Sequence, residues 1–327
     1  MGTTSFLCLS LVFTWGVSGE VADNFNNCKN SFFRSTPVSG LNIPIVPTEQ
    51  NTDGLPNFEK CLSAYNVAPL AHICQRGENV YYFATLYDRG RRIPLYSAYE
   101  VDIKGTEPGR GRNTFYQEPQ LVHSSLPRNQ MDVKSCKNEI KKYNNYTGCK
   151  ESFPQYRQLN KIMQSQAVDG DFVGYDRGHL NPAGHHSNED YSSATTVFTN
   201  VAPQNGQMNN GKWNEYEKWV RKYGKDKGCD KMYAVVGVVP SDLNGDGKWL
   251  KRAKENAVNV PSHYWSAYCC TNSKDEPILS GGAICPNLDI TNNSKVEYYD
   301  SVGELEKELQ KLKLGNNFKI FARFVAK

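Results

Sequence analysis

Tyr175-Asp176-Arg177-Gly178-His179-Leu180-Asn181-Pro182-Ala183 is the densest cluster of reactive side chains in the chain, and it lies between runs that read as regular elements. A histidine is the side chain best suited to take a proton near neutral pH, Arg177 beside it can hold a phosphate, and Gly178 lets the backbone come close to a ligand. A loop whose Asp176 caps a turn and whose His179 is incidental explains the same four letters. The weight of the motif therefore depends on its surroundings.

Downstream, Thr199-Asn200-Val201-Ala202-Pro203-Gln204 leads into Met208-Asn209-Asn210-Gly211-Lys212-Trp213, and the spacing from Asn209 to Tyr223 predicts a helix. Trp213, Tyr216, Val220 and Tyr223 recur three and four residues apart as an inward stripe, while Glu217 and Arg221 are neighbours on another side. The stripe reads as core, and a Glu/Arg pair at this spacing is by default an ordinary surface pair. The Asn209 carbonyl, just ahead of the helix, is also a suitable hard-oxygen ligand for Mg²⁺, an ion that takes few protein ligands and keeps its waters. Asn210 competes for that place, since it lies nearer the helix face of Glu217. Glu217 would orient the waters of such an ion. Upstream, Gly109-Arg110-Gly111-Arg112-Asn113-Thr114-Phe115 ends in Glu118-Pro119. An arginine there can neutralise phosphoryl charge, although a solvated basic loop accounts for it more simply.

Working outward, residues 79–86 and 93–101 read as two strands joined at Asp88-Arg89-Gly90. Further strand-like runs span 194–201, 232–239, 264–270 and 318–325. Ser301-Val302-Gly303-Glu304 fits a capping box ahead of a helix over 304–312. Residues 20–78, rich in Asn, Pro and Ser and holding Cys28, Cys61 and Cys74, read as a disulfide-tied, loop-rich lead-in, with regular structure beginning after it. No internal repeat is visible. The mixture predicts an α+β fold in one domain.

At the N-terminus, the apolar run from Phe6 to Trp15 followed by Val17-Ser18-Gly19 reads as a secretory signal peptide cleaved after Gly19. The run is far shorter than the ~20 residues a spanning helix needs, so no membrane partner is expected. Without Cys8 the remaining cysteines are odd in number: Cys28, Cys61, Cys74, Cys136, Cys149, Cys229, Cys269, Cys270 and Cys285. Export predicts that most pair, with one thiol left over. The sequons at Asn145 and Asn292 agree with export. A formal net charge of +4 is mild, but basic residues gather in Arg89 to Arg92, in Arg110 and Arg112, and between Lys218 and Lys227, as suits a polyanionic partner. Two tempting metal sites fail. Asp242 to Gly247 begins like a calcium loop, yet Ala253 stands where a bidentate Glu is needed, and His185-His186 lacks ligand spacing, which leaves it a surface or supporting role.

Taken together and in this order, the three segments resemble the DNA/RNA non-specific endonucleases of the ββα-metal, or His-Me finger, class. Asp176-Arg177-Gly178-His179 is similar to that family's signature, and Asn209-x-Gly211-x-Trp213 with Glu217 and Arg221 repeats its spacing; the similarity covers roughly residues 80–270. The N-terminal part resembles more narrowly the secreted endonuclease domain-containing 1 proteins. The resemblance implies a mixed or antiparallel sheet with a ββα-metal motif, and divides the chain into signal (1–19), lead-in (20–78) and endonuclease domain (79–327). It also implies hydrolysis of DNA or RNA phosphodiesters with little sequence preference, leaving 5′-phosphates. By the same resemblance His179 is the general base, Asn209 the direct ligand of Mg²⁺ (Mn²⁺ substituting), and Arg112, or Arg110 after a small shift, the charge-stabilising arginine. Glu217 would hold metal-bound waters, Arg177 and Arg221 would contact phosphate, and Asp176 would fix the motif. No small-molecule cofactor is implied. The competing expectation is a secreted nucleic-acid-binding protein of the same fold without catalysis.

Overall fold

The computed structural model describes residues 17–48, 68–106, 108–146, 155–252, 255–288 and 295–321. Its strands are β1 (Ser18–Ala22), β2 (Leu70–Arg76), β3 (Tyr81–Asp88), β4 (Ile93–Glu100), β5 (Asp176–His179), β6 (Val201–Gln204), β7 (Lys231–Val239), β8 (Trp249–Arg252), β9 (Glu255–Asn259), β10 (His263–Thr271), β11 (Pro277–Pro286) and β12 (Glu297–Tyr299). Its α-helices are α1 (Pro119–Val122), α2 (Val133–Tyr146), α3 (Gln155–Ser165), α4 (Glu189–Ala194), α5 (Gly206–Asn210), α6 (Lys212–Asp226) and α7 (Val302–Lys311).

Eight strands form one antiparallel sheet in the order β1-β2-β3-β4-β7-β10-β11-β12. Alternation along the strands gives it two apolar faces: Phe83, Val236, Val238 and Tyr264 lie in one buried cluster, Ala84, Val235, Trp265 and Ile284 in the other. The first face is covered by α6 through Trp213, Tyr216 and Val220, the second by α7 through Leu305 and Leu309. A sheet covered on both sides needs apolar residues at consecutive positions, which is why β7 reads as the nearly unbroken run Met232 to Val239. This is the α+β architecture with an antiparallel core that the sequence predicts.

Strands β4 and β7 pair directly, Tyr96 opposite Gly237 and Glu100 opposite Tyr233. Residues 101–230 are therefore a single excursion between neighbouring strands. It carries α1 to α6 and a separate two-stranded ladder, β5 with β6, and packs on the first face through Phe172, Leu180, Phe198 and Met208.

Several expectations need correction. Among the described residues the sheet already includes Ser18–Ala22 and Leu70–Arg76, because β1 and β2 extend it from within or beside the stretch read as loop. The run 194–201 is no strand. Ala194 ends α4, Phe198–Asn200 make a 3-10 turn, and only Val201 enters β6. Side chains hold that turn: Asn200 Nδ2 donates to the carbonyls of Thr195 and Asn181, each at 2.9 Å, and Thr195 Oγ1 donates to Ser192 O at 2.6 Å. From the run 318–325, residues 318–321 carry only an isolated bridge from Lys319 to Ser39, and the rest lies outside the described residues. The sequons also lie outside them, or partly so.

Cysteine pairing differs as well. Cys28–Cys74 and Cys229–Cys270 are disulfides, while Cys136, Cys269 and Cys285 are buried free thiols, so among the described residues more than one thiol is free. Adjacent Cys269 and Cys270 point to opposite faces of β10, which separates their fates. The basic run Arg89 to Arg92 is buried. Arg91 pairs with Asp88 at 2.7 Å and with Asp242 at 2.8 Å, so the first carboxylate of the calcium-like loop serves as the partner of an arginine.

Candidate active site

The signature is strand β5, paired Asp176 to Gln204, Arg177 to Pro203, Gly178 to Ala202 and His179 to Val201. A strand sends alternate side chains to opposite faces, so Asp176 and Gly178 share one side and Arg177 and His179 the other. Gly178 is required by its neighbour on β6. A Cβ there would stand 2.2 Å from Gln204 Oε1 and 2.7 Å from the Tyr264 hydroxyl. The glycine thus makes room for the protein's own side chains, where the sequence suggested room for a ligand.

On the first side, Asp176 Oδ2 accepts from Asn209 Nδ2 at 2.9 Å and from Asn210 Nδ2 at 2.8 Å. Asn209 is half-buried. An amide that donates through nitrogen presents its carbonyl oxygen elsewhere, and Asn209 Oδ1 has no partner among the described residues. Asn210 is exposed, and its nitrogen also donates to Gly206 O at 2.9 Å. Both asparagines end α5, whose cap is Asn205, with Oδ1 accepting from Gln207 N at 3.0 Å and Met208 N at 3.2 Å. The single helix expected from Asn209 is broken at Gly211. Its Cβ position lies 2.6 Å from Gln207 O, and its backbone angles leave the helical region.

On the second side, the His179 ring lies 5.4 Å from that of Phe115, and the Arg177 guanidinium 5.5 Å from the rings of Phe115 and Phe172. His179 Nε2 is shielded from solvent and unpartnered. Burial pulls the ring's pKa down to about 4, so the imidazole is neutral near pH 7. Arg177 is ion-paired with exposed Asp169. An exposed pair of this kind is weak, so it yields readily to a phosphate.

The other residues singled out by sequence fall into two places. Arg112 is half-buried, donating from Nη1 to Gln130 Oε1 at 2.9 Å and lying 4.4 Å over Tyr116. Burial lowers its pKa. The contact between its segment and His179 is made by Phe115, whereas Arg110 is exposed without a hydrogen bond or ion pair among the described residues. Glu217 and Arg221 line a cavity of about 450 Å³. Burial pushes the Glu217 carboxyl up to about 8, the Trp213 indole opposing the shift. Arg221 donates to Asp102 O at 2.8 Å and Gly105 O at 3.0 Å, so it clamps the loop after β4, where the sequence suggested a phosphate contact.

Sequence reasoning missed the supports. His185 is buried, and His186 with it, which corrects the surface role. His185 Nε2–H donates to Glu217 O at 2.9 Å, and Tyr99 donates to its Nδ1 at 3.1 Å, so the ring ties α6 to β4. Asn200 uses its whole amide internally, Oδ1 accepting from Ser97 Oγ and Asn181 N, each at 3.0 Å. An adjacent His pair and a lone Asn carry no periodic signal that marks them as buried struts.

The strands β5 and β6 followed by the short helix α5 form a ββα unit, with His179 on its first strand and Asn209 on its helix. A family model for the DNA/RNA non-specific endonucleases matches residues 64–319, and the chain belongs to that family. Among relatives, the endonuclease domain-containing 1 protein of Homo sapiens is 25% identical over 338 residues, covering 96% of this chain and 56% of its own length. The mitochondrial nuclease EXOG of Mus musculus is 30% identical over 151 residues, covering 43% of this chain and 40% of its own. A salivary endonuclease of Lutzomyia longipalpis is 23% identical over 226 residues, 66% of this chain and 49% of its own. The chain thus spans about half the length of the curated relatives it matches. A solved structure of the EndoG/EndoGI complex overlaps 76% of this chain and 86% of its own at 19% identity, with a TM-score of 0.45.

Proposed function

We propose that the protein is a secreted, Mg²⁺-dependent endonuclease that hydrolyses DNA or RNA phosphodiesters with little sequence preference. The observation that carries this reading is the division of labour across β5. His179 offers a neutral, unpartnered Nε2 on one side, and Asp176 holds the Asn209 amide so that its carbonyl oxygen is free on the other.

The residues fit a magnesium site of the sparse kind. Among the described residues no cluster of three or more His, Cys, Asp or Glu stands ready to hold a metal. One neutral amide oxygen with a carboxylate near it is the donor set of an ion that keeps most of its waters. Bound at Asn209, with Glu217 oriented toward its waters, Mg²⁺ would supply charge neutralisation at the scissile phosphate. His179 Nε2 takes the proton of the attacking water, the neutral imidazole serving as the general base. Freed from Asp169, the Arg177 guanidinium contacts the phosphate, with exposed Arg110 nearer solvent as a second cation. Phosphate contacts of this kind carry affinity without base information.

Paired cysteines and similarity to an endonuclease domain-containing 1 protein support secretion, and among the described residues no helix is long and apolar enough to cross a membrane. The test is digestion of plasmid and of RNA by purified protein in Mg²⁺ or Mn²⁺, with a chelator as control. Chelator-sensitive cleavage leaving 5′-phosphates is expected. Binding without cleavage in either metal would replace the reading with that of a catalytically inactive nucleic-acid-binding protein.

A further inference from the structure

Of the three basic runs in the sequence, Arg89 to Arg92 is consumed inside the fold and Arg112 turns onto Gln130. The lysines of α6 remain. Lys218, Lys222 and Lys225 are exposed, and they climb the helix over four and seven residues, roughly 6 and 10 Å of rise. Lys222 is ion-paired with Asp226, itself exposed, a contact that a phosphate displaces at little cost. All three lysines border the cavity that contains Glu217 and Arg221, whose wall also presents apolar Ile103, Pro108 and Pro182 and the amide of Asn214.

We propose that this flank of α6 is a subsite for the nucleotides beside the scissile bond, the cavity taking one nucleotide and Lys218, Lys222 and Lys225 the phosphates of the strand that leaves it. The inference rests on the nuclease reading, because α6, whose residues from Asn214 onward line the cavity, directly follows the short helix that carries Asn209. Its size lies within the range of sites that hold small organic molecules. The proline and isoleucine walls suit the face of a base, and Asn214 can bond a base edge. At 3.4 Å per phosphate along a duplex strand, a 10 Å row of lysines faces about three phosphates.

The test is binding in EDTA, where cleavage cannot intrude, by fluorescence anisotropy of a short labelled duplex across a KCl series. Combined Lys218→Gln, Lys222→Gln and Lys225→Gln should make the slope of log K against log salt shallower by about 2.7. A charge-matched control, Lys274→Gln with Lys307→Gln and Lys311→Gln, should leave most of that slope. Gly184→Phe fills the cavity, since the nearest atom to its Cβ position is Pro108 Cβ at 4.0 Å. It should weaken binding several-fold with the slope unchanged. Equal slopes for the two lysine triples, wild-type affinity in Gly184→Phe, or no duplex binding by the wild-type protein would each overturn the proposal. Loss of cleavage in Mg²⁺ with these binding effects intact would sink the nuclease reading instead.

Discussion

At the scale of single residues, the site depends on which atoms are left without partners. His179 must be neutral to act as a base, and burial holds its pKa at about 4. Protonation silences it, so activity is lost as pH falls through that value. The acid limb of kcat/KM should therefore lie near pH 4 and below the ordinary imidazole range; a limb near about 6.5 would contradict the geometry. Asp176 acts through the asparagines. Asp176→Ala removes the acceptor that orients Asn209, so the Mg²⁺ concentration for half-maximal activity should rise about 10–100-fold, with thermal stability nearly unchanged. Equal Mg²⁺ dependence in the variant would show that Asn209 needs no such support. The sequence exposed these reactive letters because motif spacing is short-range. It hid Phe115, whose place against His179 arises only when residues 115 and 179 meet in the fold.

At the scale of elements, the ββα unit is tight. Gly178→Ala would drive a methyl into Gln204, whose Cβ lies 2.5 Å from its position, and should cost about 1–3 kcal/mol in urea unfolding, an overpacking penalty that Gln204→Gly in the same chain should relieve in part. Additive losses in the double variant would mean that the two residues do not meet. The hairpin of β3 and β4, the central strands β7 and β10 and helix α7 were legible, since each follows a strong local pattern. The break at Gly211 was not, because the aromatic stripe begins two residues beyond it, at Trp213, and an isolated glycine is a weak stop signal. The turn at residues 195–200 was hidden for a different reason: its β-branched and aromatic letters favour a strand, and side-chain bonds from Asn200 override them.

At the scale of the molecule, the buried link between the N-terminal strands and the excursion is Glu118. It accepts from Gln75, and Gln166 brackets its backbone at 2.8 and 2.9 Å. Burial pushes its carboxyl up to about 8. A raised folded-state pKa means that folding retains a proton the unfolded chain releases above its ordinary value of 4.5, so stability falls as pH rises from there to about 8 and is level beyond. Melting curves of Glu118→Gln should accordingly match wild type near pH 4.5 and exceed it by several degrees at pH 8; a constant offset would contradict the linkage. Nothing in the sequence announced this contact, because Gln75, Glu118 and Gln166 are brought together only by the packing of the excursion on the sheet edge. The central claim is that His179 drives phosphodiester hydrolysis. The most direct measurement compares wild-type protein and His179→Ala for plasmid cleavage in Mg²⁺ and for duplex binding in EDTA. The account predicts a loss of about 10²–10⁴ in cleavage rate with binding retained, and a variant that cuts at the wild-type rate would contradict it.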